Sequence, residues 1–237
     1  MPDPRGARPA ALRAVLFDVD FTLARPGPDL GPAGFVRVGR SFGMALDEAR
    51  YEEARAVAIA SLQRHPEFVH EDEVWVAFSE RIIRGMGGES ERAYECAVAM
   101  EQAWEHSANF ELYDDALPVL EELRRYGLKL GLVSNGARDL DAFVQHHRLD
   151  VDAALGSRTH GRTKPEPSIF LAVLRALEVE PEEAVMVGDS LADDIEGARA
   201  LGMRAFLLDR DGRLPEHDGR LTDLRSLPAA LGLVRPG

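Results

Sequence analysis

Two aspartates one residue apart, Asp18 and Asp20 in AVLFDVDFTL, close a short apolar run. On an extended chain they flank a valine and point to the same side, where their charges repel unless a cation or a shared proton relieves them. A second acidic group, Asp189 with Asp193 and Asp194 in VMVGDSLADDIEGARALG, follows another apolar run. Helix capping accounts for an acid in a first turn, which suits Asp193, but not for Asp189, which precedes the helix. If the two runs are neighbouring strands, Asp18, Asp20 and Asp189 converge on an oxygen-rich edge of the kind that holds Mg²⁺ with water and phosphate. Two further pieces fall at strand ends. Ser134, Asn135 and Gly136 in LGLVSNGARDL stand just before a helix and can receive an anion on a hydroxyl and backbone amides. Lys164 precedes Pro165, which biases it to an extended conformation able to aim its ammonium at the same edge.

The elements that must position these groups are those of an ordinary folded protein. The chain has 237 residues, 45% hydrophobic and 29% charged, enough for one large domain or two modest ones, each with a proper core. Asp plus Glu number 41 against 28 Lys plus Arg, a formal charge of -13, which disfavours nucleic acid as a partner. The single cysteine, Cys96, sits on a helical pattern with no base nearby and reads as packing. Neither a signal-peptide core nor an apolar run of about 18 residues is visible, so no membrane association and a cytoplasmic location are expected.

Residues 1–11, rich in proline and without periodicity, are expected to form a flexible arm. Short, nearly continuous apolar runs at VLFDV, 128–135, 152–157, 184–189 and 204–209 read as strands buried on both faces. Helical patterns at 116–127, 166–179 and 191–202 alternate with them, which predicts right-handed crossovers and a doubly wound parallel α/β sheet. Residues 26–109 break that rhythm with consecutive helices at 32–45, 47–63, 70–85 and 90–107, an all-helical insertion. The expected division is a core of 12–25 with 110–237 and an inserted domain of 26–109. The glycines of RGMGGES follow a helix rather than a strand and read as an interhelical turn. Arg37, Arg40, Arg55, Arg64, His65 and Trp75 lie in the insertion without an assignable role.

In order and spacing, DVDFTL, LVSNG, Lys164 in TKPEPSIF and VGDSLADDIEGARALGM resemble the motifs of the haloacid dehalogenase-like (HAD) hydrolase superfamily. The likeness runs over the core to about residue 209 and reaches the insertion by position alone. It implies a Rossmann-like core and an insertion similar to the C1 cap. It also implies that Asp18 is a nucleophile forming an aspartyl-phosphate and Asp20 a general acid and then base. Mg²⁺ would be bound by Asp18, the Asp20 backbone carbonyl and Asp189, supported by Asp194 or Asp193. Thr22 and Ser134, with the amides of Asn135 and Gly136, would hold phosphoryl oxygens, and Lys164 would offset their charge. Because the name-giving dehalogenases lack an acid at the position of Asp20, the resemblance favours a phosphatase acting on a small phosphorylated metabolite, as a monomer or homodimer. A sugar phosphomutase is the nearest alternative, ahead of a dehalogenase or a phosphoacceptor receiver. Phe21 departs from the glycine or asparagine of many relatives.

Overall fold

The computed structural model describes residues 11–62, 65–212 and 218–233. The arm expected over residues 1–11 lies, except for Ala11, outside the described residues, as does Arg64. In chain order the elements are β1 (Ala14–Phe17), β2 (Ala24–Pro26), α1 (Pro32–Ser41), α2 (Tyr51–Ala60), α3 (Asp72–Gly85), α4 (Ala93–Glu105) and β3 (Phe110–Leu112). Then come α5 (Ala116–Arg125), β4 (Lys129–Ser134), α6 (Leu140–His147), β5 (Ala153–Gly156), α7 (Ser157–His160) and α8 (Pro167–Leu177). The last are β6 (Ala184–Gly188), a π-helical turn over Leu191–Glu196, α9 (Gly197–Ala200), β7 (Arg204–Leu208), β8 (Arg220–Leu221) and α10 (Leu227–Ala230).

Six strands form one sheet in the order β5-β4-β1-β6-β7-β8, every pair parallel. From β1 the chain winds outward to β4 and β5, then returns to the other side for β6, β7 and β8, so β1 lies at the switch of direction. Both faces are covered, which explains the unbroken apolar runs. Val15 and Phe17 point into a cluster with Leu120, Leu123 and Phe143 of α5 and α6. Ala14 and Leu16 point the other way, into a cluster with Phe170, Val173 and Leu174 of α8. At Gly131 of β4 an added Cβ would meet Val173 Cγ1 at 2.8 Å, so glycine lets α8 press against the sheet.

The insertion is helical as expected, with shorter helices: α1 and α2 end at Ser41 and Ala60 rather than 45 and 63, and α4 spans Ala93–Glu105 rather than 90–107. Its helices share a separate apolar cluster around Phe35, Ile82, Ile83 and Met100. Cys96 is inside that cluster, and burial pushes its thiol up to about 11, consistent with packing. Three short strands escaped the sequence reading: β8, two residues at the edge of the main sheet, and the pair β2 and β3. β2 and β3 pair antiparallel where the chain leaves and re-enters the sheet layer, and Gly27 N–H extends the ribbon to the Asn109 carbonyl at 2.7 Å. Three residues with a proline carry no usable period, which is why the ribbon is silent in the sequence. The expected helix at 191–202 also differs: it begins with the π-helical turn and becomes α-helical only at Gly197. Among the described residues no helix is long and apolar enough to cross a membrane.

Leu16 has no exposed surface and fills the space against Gly131 and α8. Leu16→Ala is expected to cost about 2–5 kcal/mol in urea unfolding; a change below ~1 kcal/mol would show that the layer collapses to refill the void.

Candidate active site

The sheet delivers the first aspartate directly. Asp18 N–H donates to the Val187 carbonyl at 2.9 Å, extending the β1–β6 ladder by one residue and fixing Asp18 at the carboxyl edge. The chain then turns tightly around Val19, whose carbonyl accepts the amides of both Leu23 and Ala24 at 2.9 Å. Phe21 takes φ 62° in this turn, a left-handed conformation costly for a bulky side chain.

Lys164 Nζ lies at the centre of the edge. It donates to Asp18 Oδ1 at 2.5 Å, Asp194 Oδ1 at 2.7 Å and the Val133 carbonyl at 3.0 Å, so all three of its protons are used. Its backbone is clamped by Asn135, whose Oδ1 accepts Lys164 N–H at 2.7 Å and whose Nδ2 donates to the Lys164 carbonyl at 3.0 Å. Burial opposes the ammonium charge, yet Asp18 and Asp194 outweigh it and hold Lys164 above the usual lysine range.

One carboxylate oxygen from each of Asp18, Asp189 and Asp194 lies within 4.8 Å of the others. Burial raises all three above the ordinary carboxylate range; Lys164 opposes this, while repulsion among Asp18, Asp189 and Asp194 adds to it for Asp18 and Asp189. Three carboxylates against one ammonium leave negative charge unbalanced in a buried place. An all-oxygen donor set with that deficit fits a hard divalent cation such as Mg²⁺. The π-helical turn presents Asp194 here: Ser190 N–H donates to Asp194 Oδ2 at 3.0 Å, while the Ser190 hydroxyl caps Asp193 N–H at 3.2 Å. Asp194, not Asp193, is the member of the cluster.

The side chain of Asp20 is outside that cluster. Its Oδ1 accepts from Arg138 Nη2 at 2.5 Å, and Arg138 is buried with its guanidinium 3.6 Å from the Phe110 ring centre and 4.8 Å from that of Phe143. Nothing in the sequence singled out Arg138, because a lone arginine following SNGA has the look of a solvated helix start. Thr22 and Ser134 are both buried, and Thr22 Oγ1 has no hydrogen-bond partner. Arg210 reaches across to donate to the Thr22 carbonyl at 2.7 Å, pairs with Asp115 and lies over the Tyr113 ring at 3.8 Å.

A cavity of about 780 Å³ opens from this edge toward the insertion. Asp18, Asp20, Asn135, Gly136, Lys164, Asp189 and Asp194 line its floor, and Tyr51, Arg55, Trp75, Phe78, Glu101 and Trp104 its far wall. Of the insertion residues noted in the sequence, Arg55 and Trp75 reach the cavity, Arg37 pairs with Asp29 at 2.8 Å, and Arg40 is exposed. Arg55 lies over the Phe21 ring at 5.6 Å, joining α2 to the loop after the first aspartate.

The insertion also docks between α2 and α3. Thr163 N–H donates to the Phe68 carbonyl at 2.8 Å, His70 N–H to the Gly161 carbonyl at 3.1 Å, and Val69 forms an antiparallel bridge with Arg162. Phe68 takes φ 54° to make this contact. Asp72 Oδ1 lies 3.0 Å from His70 Nε2, Ser157 Oγ 2.8 Å from His70 Nδ1, and Gly136 N–H donates to Ser157 Oγ at 3.1 Å. All partners are satisfied when Nε2 carries the ring proton and Nδ1 accepts the Ser157 hydroxyl. Although this is a Ser-His-Asp chain, Ser157 has no exposed surface, so it serves as a brace on the Gly136 turn rather than a nucleophile.

Residues 12–202 match the family of haloacid dehalogenase-like hydrolases. The chain belongs to this family. It is similar to a phosphoserine phosphatase of Thermus thermophilus, at 40% identity over 90% of this chain and 95% of that protein. A phosphatase of Mycobacterium tuberculosis matches at 44% identity over 52% of this chain, which spans 58% of that protein's length. Among solved structures, a HAD phosphatase from Thermococcus onnurineus superimposes with a TM-score of 0.67 at 27% identity, covering 95% of this chain and 100% of that one. The chain is therefore an enzyme of the HAD hydrolase type, with an α/β core of the Rossmann-like kind and a helical insertion.

A Cβ at Gly188 would fall 2.2 Å from Asp194 Oδ2, so Gly188→Ala must push Asp194 off Lys164 and leave a buried charge uncompensated. A loss of about 3 kcal/mol in urea unfolding is expected for the hydrolase, and an unchanged midpoint would show that another contact holds Asp194. Glu101 is pushed up to about 7 from the ordinary value of 4.5 by burial, against a Ser79 hydrogen bond and with like charge from Glu105 and Asp72. Its folded form binds the proton more tightly than the unfolded form, so stability falls as pH rises from 4.5 toward 7 and is flat above. Glu101→Gln should thus raise Tm at pH 8 by about 2–4 °C, on the order of 1 kcal/mol, with the gain vanishing near pH 4.5. A gain independent of pH would assign it to packing instead.

Proposed function

We propose that this hydrolase is a Mg²⁺-dependent phosphatase that cleaves a small phosphomonoester through an aspartyl-phosphate on Asp18. The observation that carries the reading is the pairing of two aspartates in different surroundings two residues apart. Asp18 lies against the Lys164 ammonium in the carboxylate cluster, while Asp20 is held outside that cluster by Arg138. In this reading one attacks and the other moves protons.

A carboxylate oxygen of Asp18 attacks phosphorus as the bond from phosphorus to the leaving oxygen breaks, and Asp20 gives that oxygen its proton. Water then attacks the same phosphorus, Asp20 takes back a proton, and the bond to Asp18 breaks to release inorganic phosphate. Lys164 offsets charge on Asp18 and on the phosphoryl oxygens throughout, and the Asn135 amide with the Thr22 and Ser134 hydroxyls supplies donors to them, the Gly136 amide being committed to Ser157. Mg²⁺, held by Asp18, Asp189 and Asp194 and by the Asp20 carbonyl, would neutralise phosphoryl charge. The helical insertion acts as a cap, its aromatic wall excluding bulk water from the cavity.

The test is release of inorganic phosphate from a panel of small phosphomonoesters, with Mg²⁺ and with chelator. Turnover should require the metal, fall by at least about 10³-fold in Asp18→Asn, and fall by about 10²–10⁴-fold in Asp20→Asn. Equal rates in wild type and Asp18→Asn would overturn the assignment, and product isomers formed without free phosphate would indicate a phosphomutase.

A further inference from the structure

The charges lining the cavity are nearly all spoken for. Arg25 pairs with Glu111, Arg138 with Asp20, Arg210 with Asp115 and Lys164 with Asp18 and Asp194. Arg55 rests on the Phe21 ring. On the insertion side the lining carboxylates are Glu52, which is exposed, and Glu101, which is half-buried. Glu101 accepts the Ser79 hydroxyl at 2.6 Å, and among the described residues no cation is paired with it. Around it the same wall carries Trp75, Phe78 and Trp104.

A partly buried carboxylate with a neutral donor alone is under-compensated, and the sign of what is missing is positive. Aromatic faces beside an acidic oxygen suit a small organic cation, since ring quadrupole and carboxylate attract the same ligand charge. We propose that Glu101 is the acceptor for an ammonium group on the substrate, so that the preferred esters are small amine-bearing phosphomonoesters. The inference rests on the phosphatase reading above and names the substrate class of that same cavity. The phosphate is bound at the sheet edge and the ammonium at the α3–α4 wall. Burial raises the proton affinity of Glu101 in the free cavity, with Ser79 opposing and Glu105 and Asp72 adding like charge, which agrees with a buried group that lacks a counter-ion. Arg158 is engaged by Glu105 at 2.9 Å and Asp72 at 3.6 Å.

Two esters of equal size separate charge from shape: 2-aminoethyl phosphate and 2-hydroxyethyl phosphate. Wild type should favour the amine by at least about tenfold in kcat/KM, Glu101→Gln should bring the ratio to near one, and Glu101→Asp should recover part of it. A wild-type ratio at or below one, or a ratio unmoved by Glu101→Gln, overturns the proposal. Thermal melts of each variant exclude misfolding as the cause. Failure of the phosphatase reading would look different, with neither ester turned over by wild type. In that case calorimetric titration of wild type and Glu101→Gln with 2-aminoethyl phosphate decides: binding weakened by about tenfold in the variant supports the role of Glu101, and equal or absent binding overturns it.

Discussion

The buried ammonium of Lys164 holds the site together. Each of its protons ends on a different part of the chain: Asp18 after β1, Val133 within β4, and Asp194 in the turn after β6. Withdrawing any one charged partner would leave the others charged and dry, which costs several kcal/mol where a surface pair would cost less than about one. The three contacts therefore fix the relative position of strand ends that lie far apart in sequence, and the Asn135 clamp on the Lys164 backbone fixes the direction of approach.

That arrangement is possible only because the sheet is parallel. Parallel neighbours point their carboxyl ends the same way, so residues following β1, β4 and β6 meet at one edge without any loop spanning the gap. The cost is that both faces must be covered, and close approach has to be arranged by small residues: Gly131 under α8 and Gly188 under the Asp194 carboxylate. The same edge gathers more negative charge than Lys164 can balance, a deficit that a structural role would not need and that a bound cation with a phosphoryl group would turn to use.

The core was legible because its signals are local. Continuous apolar runs bounded by turn residues mark buried strands, and an acid placed straight after such a run must lie at the sheet edge. Asp18 and Asp189 could be placed that way and Ser134 by closing its own run, while Lys164, which α7 separates from β5, was placed by the proline after it; the helical insertion showed itself as four periods of about 3.6 without a strand between them. What stayed hidden is relational. Arg138 becomes informative only when Phe110, over 20 residues earlier in the chain, is seen to stack on it. The choice between Asp193 and Asp194 turned on a π-helical turn, which an α-helical period cannot reveal. Glu101 reads as a solvated helix position until the cavity and its uncompensated walls are known.

The two joints between insertion and core differ in kind. At the β2–β3 ribbon the chain itself passes between layers, with paired backbone and the Arg25–Glu111 ion pair across it. At the second joint the chain does not cross: Phe68, Val69 and His70 meet Gly161, Arg162 and Thr163 by a handful of hydrogen bonds, with Phe68 in a left-handed conformation. Each such bond is worth about 0.5–1.5 kcal/mol net, and release of the Phe68 backbone returns about 1–3 kcal/mol, so the joint is held by a small balance. It is nonetheless wired to the site, since His70 braces Ser157, Ser157 braces the Gly136 amide, and the next residues run straight to Lys164. A ligand that contacts both walls of the cavity would favour the docked arrangement by its contact energy alone, and docking would in turn set the position of the Asn135–Gly136 turn.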